Sequence, residues 1–228
     1  MRKYEYSDDL VNAVKKFLEE DDWNYTFDED MGVFDFGLRI KSKIQKIRYL
    51  IDIQEDAIIF YGMCPIGADC EDSEMMSRMA EFFCRVNYGL KNGCFEFDFK
   101  DGEIRFKSYI DCDEYIPSTK VIGNSIYCIS RLFKRYASGI TDIIFVGRSA
   151  EEAVEECEKE SEAELRSIVR ELLGGSDDGA SVDEMLARLS ERLGTADEED
   201  GSSVDAKAVD EEEIRIDLFA DKKGGDEQ

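Results

Sequence analysis

Hydrophobic positions near the N-terminus recur at helical spacing. Leu10, Val11, Val14, Phe17 and Leu18 share one side of a 3.6-residue turn, Ser7 stands where a cap would accept a backbone N–H, and Asp8 and Asp9 fill the first turn. This predicts a helix over residues 8–20. The period then falls to two. Phe34, Phe36, Leu38 and Ile40 alternate with Asp35, Gly37 and Arg39, and Ile47, Tyr49, Ile51 and Ile53 alternate with Lys46, Arg48 and Asp52. Residues 57–63 read as a neighbouring strand and 24–28 as a preceding one, with a turn at Asp30-Met31-Gly32. The prediction is an antiparallel meander of three or four strands with one wet face.

Beyond a loop at Pro65 and Gly67, a second helix is predicted over residues 72–90, followed by two alternating strands over 94–110 around Asp101-Gly102. A two-residue Asp-Gly loop favours type I′ geometry, which would place residues opposite one another where their numbers sum to 203. Phe97 then meets Phe106 and Phe99 meets Ile104, while Lys100–Glu103, Asp98–Arg105 and Glu96–Lys107 pair on the charged face. A third helix starts near Ser118 with the stripe Ile122, Ile126, Ile129, Leu132, Phe133, Tyr136, Ile140 and Ile143, and Ser138-Gly139 is a candidate break. Ser149-Ala-Glu-Glu152 opens a fourth helix as a capping box, with Gly174-Gly175 as its stop. Val182, Met185, Leu186, Leu189 and Leu193 form a short amphipathic helix, residues 194–211 have a disordered composition, and Ile214, Ile216, Leu218 and Phe219 make a last apolar island.

The fold class that follows is α+β. An antiparallel sheet of five to six strands is covered by helices on one face, in the order α-β-β-β(-β)-α-β-β-α, with an acidic helical extension behind it. The expected domains are residues 1–158 and the acidic, partly helical, partly disordered 159–228. Charge supports the division: from Ser149 onward 27 acidic face 9 basic residues, whereas residues 1–148 hold 27 acidic and 20 basic.

At net charge −25 the chain repels phosphate backbones and anionic lipid, so neither nucleic acid nor a membrane is the expected partner. No apolar run is long enough to span a bilayer, and the opening residues lack the apolar core of a signal peptide, so the expected location is the cytoplasm. Seven scattered cysteines without paired spacing read as free thiols. With no histidine in the chain, the commonest general base and the commonest metal ligand are missing, and with them every Ser-His or Cys-His nucleophile pair. The acids at Asp69, Glu71 and Asp72 and at Asp111, Asp113 and Glu114 lack the spacing of a calcium loop, and no glycine-rich phosphate loop occurs. No catalytic, cofactor-binding or metal-binding residue is assigned, and no cofactor is expected.

The stretch from Arg85 to Lys107 contains an Asn ending a helix, a Gly-x-Phe-Glu strand (Gly93 to Glu96) and an acidic-Gly hairpin turn. In this it resembles the YbjN family, and the first helix, the turn from Asp28 to Gly32 and Ser149-Ala-Glu-Glu-Ala153 sit where that family has their counterparts. The resemblance spans residues 7–158. It implies a bacterial sensory transduction regulator with a fold like type III secretion chaperones, hence a non-enzymatic, protein-binding, often dimeric domain.

Helix two bears on that reading. Met75, Met76, Met79, Ala80, Phe82, Phe83, Val86 and Leu90 cover an arc of about 160°, wider than one sheet contact needs. Burial by its own domain and by the third helix is the ordinary explanation. The other is that Met75, Met79 and Phe83 meet a protein partner or a second copy of the chain. Two alternatives to the interaction domain stand beside it: an acidic tail that mimics a polyanion to occupy a basic partner, and an enzyme built on paired carboxylates.

Overall fold

In the computed structural model residues 3–174 and 180–196 are described. The elements in chain order are α1 (Asp8–Glu20), β1 (Thr26–Asp28), β2 (Val33–Arg39), β3 (Lys46–Ile53), β4 (Ala57–Met63), α2 (Ser73–Tyr88), β5 (Cys94–Phe97), β6 (Ile104–Asp111), α3 (Thr119–Phe145), α4 (Ala150–Leu172) and α5 (Val182–Ala196). Ser7 caps α1 by accepting from the Leu10 N–H, and Ser118 caps α3 by accepting from Val121. Two compact units divide the chain, residues 1–157 and 158–228.

The six strands form one antiparallel sheet in the order β1-β2-β3-β4-β6-β5. Side chains of alternating residues go to opposite faces, and one face is closed by α1, α2 and α3. Phe34, Ile51, Phe60 and Phe106 on that face are fully buried against Val14 and Leu18 of α1, Met79 and Phe82 of α2 and Ile126, Ile129 and Phe133 of α3. Tyr49 lies there too, stacked on Phe36 at 5.0 Å, and its hydroxyl donates to the Ile126 carbonyl at 3.0 Å. Burial pushes that phenol far above its ordinary pKa.

The α3 helix runs unbroken for 27 residues, keeping helical spacing through Gly139, and the candidate break at Ser138-Gly139 does not occur. Packing is why a glycine stands there: a Cβ on Gly139 would lie 2.6 Å from the Phe82 ring and 2.9 Å from Cys157 Sγ. The missing side chain lets α2 approach α3 closely.

The β5–β6 hairpin also departs from expectation. Its partners sum to 201, pairing Phe95 with Phe106, Glu96 with Arg105 and Phe97 with Ile104. The loop is therefore two residues longer than a type I′ turn. Asp98 accepts the Lys100 N–H on its carboxylate (2.8 Å) and the Gly102 N–H on its carbonyl (2.9 Å), and the Asp98 N–H closes the loop on the Glu103 carbonyl at 3.0 Å. Gly102 alone takes a left-handed φ, +75°, where type I′ requires two such residues. A second constraint comes from outside the hairpin, since the Ala68 N–H donates to the Gly102 carbonyl and a Cβ on Gly102 would lie 2.0 Å from the Ala68 carbonyl oxygen. A shift of two residues keeps each side chain on its face. Phe99, expected opposite Ile104, is instead 63% exposed at the tip.

In the second unit, Val169, Ala180, Met185 and Leu189 form a small buried cluster with Leu165, Leu172, Leu173 and Leu186 packed on it. Ser181 caps α5 through the Glu184 N–H, and Glu184 reaches back to the Ser181 N–H. The apolar island at residues 214–219 lies outside the described residues, as do residues 197–211 of the stretch read as disordered.

Candidate functional site

Met79 is 0% and Phe83 3% exposed, and Phe83 stacks on Phe95 at 5.1 Å. Only Met75 keeps accessible surface, and its sulfur accepts from the Asp69 N–H. The wide apolar arc is consumed inside the first unit by β5, α3 and the covered sheet face. Met79 and Phe83 therefore offer no surface in this monomer.

Three of the six acids weighed as ligands accept local backbone hydrogen bonds. Asp72 caps α2 by accepting from the Glu74 and Met75 N–H groups, Asp69 accepts from Glu71, and Asp111 accepts from Asp113. Among the described residues no group of three or more His, Cys, Asp or Glu is placed to hold a metal ion. The cysteines are free, and burial raises the thiol pKa of Cys94, Cys112 and Cys128, and of Cys64 to about 11, opposite to the shift that activates a nucleophile. A shallow depression along α1 is lined by Asn12, Lys15, Lys16, Glu19 and Glu20, side chains of one helix only.

The sheet face opposite the helices is different. Strand register sets its side chains in rows: Asp52, Ile59 and Tyr109; Asp35, Leu50, Tyr61 and Lys107; Arg48, Met63, Arg105 and Glu96. The centre is apolar, with Leu50, Ile59, Tyr61 and Met63 half-buried and Tyr109 53% exposed. The rim is charged. Arg48 holds Asp35 at 2.5 Å, and its hydrogen bond lowers the Asp35 pKa, while Arg105 holds Glu96 at 2.6 Å. Above the Tyr61 ring, 5.0 Å from its centroid, lies the Arg105 guanidinium, with the Lys107 ammonium at 5.9 Å. The surface joins an apolar floor to cations already fixed by carboxylates, a composition suited to peptide contact.

Two features of this region were not anticipated from sequence. The first is Asn87, whose carboxamide accepts from the Phe95 N–H at 2.8 Å and donates to the Phe95 carbonyl at 2.9 Å. It replaces a neighbouring strand at the outer edge of β5, and this explains why an Asn at a helix end precedes the Gly-x-Phe-Glu strand. The second is the charge of the β2–β3 turn: residues 39–48 hold five cations and no acid, in a chain of net charge −25.

No family model matches the chain. No curated protein matches it either. A solved structure, that of the HopA1-SchA chaperone-effector complex, is similar at 13% identity and a TM-score of 0.37, covering 56% of this chain and 91% of that one. At that level the likeness assigns neither family nor function. No described helix is long and apolar enough to cross a membrane.

Proposed function

We propose that residues 1–157 form a non-enzymatic protein-interaction domain, a chaperone-like or regulatory adaptor of the YbjN type, whose partner surface is the open face of the sheet. The observation that carries this reading is the apolar centre of that face, Leu50, Ile59, Tyr61, Met63 and Tyr109, ringed by Arg48, Arg105 and Lys107. A sheet with one face closed by helices leaves the other as its largest regular surface, and aromatic and Arg side chains are the types that anchor interfaces. The Asn87 clamp on β5 and the three-residue length of β1 protect both sheet edges, which favours docking on the face over strand addition. The acidic residues 159–228 are proposed as an extension to this domain, and the seven free thiols suit a cytoplasmic location.

The test places a photo-crosslinking amino acid at position 109 and, as control, at position 12 on α1. A partner identified from position 109 is purified and its affinity measured for wild type and for Tyr109→Asp. A loss of roughly tenfold or more is expected on the open face, against no change for Asn12→Asp. Equal binding by both variants removes the open face from the interface.

A further inference from the structure

The open face of the sheet carries different charge at its two ends. Toward the β2–β3 turn its cations are matched: Arg48 by Asp35 at 2.5 Å, and Arg105 and Lys107 by Glu96 at 2.6 and 3.8 Å, with Lys46 close to the same Asp35. The end at the β3–β4 turn is acidic. Asp52 stands directly across from Val33 on β2 and Ile59 on β4, Ile59 faces Tyr109 on β6, and Asp111 follows Tyr109 by two residues on the same face, opposite Ala57. Asp56, in the turn itself, is tied to the same place because its carbonyl accepts the Cys112 N–H at 2.7 Å. Asp56 and Asp111 are exposed and Asp52 is half-buried, and among the described residues none of the three is ion-paired.

These carboxylates adjoin the apolar floor. Leu50 pairs with Tyr61, and Ile59 and Met63 stand two residues to either side of Tyr61 on β4, so the row holding Asp52 is also the row holding Ile59 and Tyr109. Side chains directly opposed in an antiparallel pair begin only about 5 Å apart, which makes acids and floor one surface. Tyr109 feels both: its phenol titrates above its ordinary value, first through desolvation and then through the neighbouring Asp111 and Asp56.

We propose, resting on the open-face reading above, that this face takes a protein segment in which an apolar stretch adjoins a block of Lys or Arg, the apolar stretch on Leu50, Ile59, Tyr61 and Met63 and the cations on Asp52, Asp56 and Asp111. Charge complementarity decides both occupant and orientation. Covering unpaired carboxylates with an apolar or acidic chain is unfavourable and covering them with cations is favourable, whereas the pairs at Arg48 and Arg105 need nothing from a partner. Bases spread along the whole segment would set some against Arg48, Arg105 and Lys107, so they belong in one block. At net charge −25 the chain also steers a cationic segment toward itself. Along the 7 residues of β4 the face measures roughly 20 Å, the length of a helix of about 13 residues.

The probe is a fluorescent peptide of about 14 residues, one half Leu, Ala and Phe and the other half Lys, titrated into the full chain and followed by anisotropy. Its Lys→Gln counterpart and a peptide of the same composition with Lys spaced evenly are the comparisons. Expected is saturable binding of the block peptide, weakened by salt, reduced roughly tenfold in D52N/D56N/D111N and severalfold in I59S/M63S. E211Q/E212Q/E213Q removes the same charge elsewhere in the chain and is expected to leave the affinity nearly unchanged. Circular dichroism verifies folding, and Asp111→Asn alone, at the exposed end of β6, keeps the test should the triple variant unfold. Equal weakening by the two triple variants, equal binding of the block and evenly spaced peptides, or no binding overturns the proposal. A wild-type dimer in light scattering that D52N/D56N/D111N dissociates replaces the separate segment with a second copy, whose own Arg48 and Arg105 would supply the cations. A partner crosslinked at position 109 that Tyr109→Asp releases and D52N/D56N/D111N does not leaves the open-face reading standing and removes only the basic chemistry.

Discussion

The two faces of the sheet are built from the same strands and differ by one residue in register. On β6, Phe106 and Ser108 face the helices while Arg105, Lys107 and Tyr109 face outward. The covered face is aromatic and aliphatic apart from the buried Ser108; the open face puts an apolar floor beneath paired charges. Alternation thus lets one set of residues specify the fold and the other remain available for contact. A clean separation of that kind can be broken by mutation.

The largest effect is expected from Phe106→Ala. Phe106 is 0% exposed and meets the Phe95 ring edge-on at 5.1 Å, so truncation leaves a cavity and costs about 3–5 kcal/mol. Tyr109→Ala, three residues along the same strand and on the other face, is expected to cost less than about 0.5 kcal/mol. Urea unfolding of both variants measures the contrast. A large loss in Tyr109→Ala would mean that the open face is itself core.

Gly102→Ala comes next. The left-handed φ and the Ala68 carbonyl 2.0 Å from the added carbon together cost roughly 2–3 kcal/mol, and the same urea series reads the loss. The result would also separate two accounts of the hairpin, because an Asp-Gly turn that only needed local geometry would lose less.

That hairpin shows where sequence stops being informative. Face assignment was legible throughout, because period-two alternation at Phe34, Phe36, Ile47, Tyr49 and Ile51 is a property of each strand alone. The register at β5–β6 was not, because the Gly102 carbonyl is claimed by Ala68, a contact from a loop more than 30 residues earlier. Helix two shows the same limit. Its wide apolar arc and its burial by its own domain and the third helix were readable, whereas the part taken by Phe95 and the close approach that Gly139 allows were not. The open face was legible as a wet face, but its apolar centre was not, for the opposite reason: Leu50, Ile59 and Met63 are scattered single residues that become a surface only when register aligns them.

Asn87 tests the edge of the sheet. Asn87→Leu removes both hydrogen bonds to Phe95 and leaves that N–H and carbonyl without a side-chain partner, at a cost of about 1–3 kcal/mol. An uncapped β5 edge is also a template for another strand, so light scattering should show concentration-dependent association in Asn87→Leu that wild type lacks. A variant that is destabilised yet stays monomeric would confine Asn87 to positioning α2.

The smallest effect belongs to the rim. Arg48 is exposed and Asp35 only half-buried, so their pair contributes only a few tenths of a kcal/mol at neutral pH, and Asp35→Asn should lose about that much. Arg48 holds the folded-state pKa of Asp35 below its unfolded value. Its contribution is therefore present above the ordinary carboxylate pKa and is lost as pH falls through the folded value, where both states carry the proton. The urea midpoints of wild type and Asp35→Asn should differ slightly at pH 7 and converge in acid, and high salt should close the gap at pH 7 as well. A difference that survives both acid and salt would mean that the Asp35 carboxylate acts through packing rather than charge. The rim would then belong to the fold, and the open face would be smaller than its register suggests.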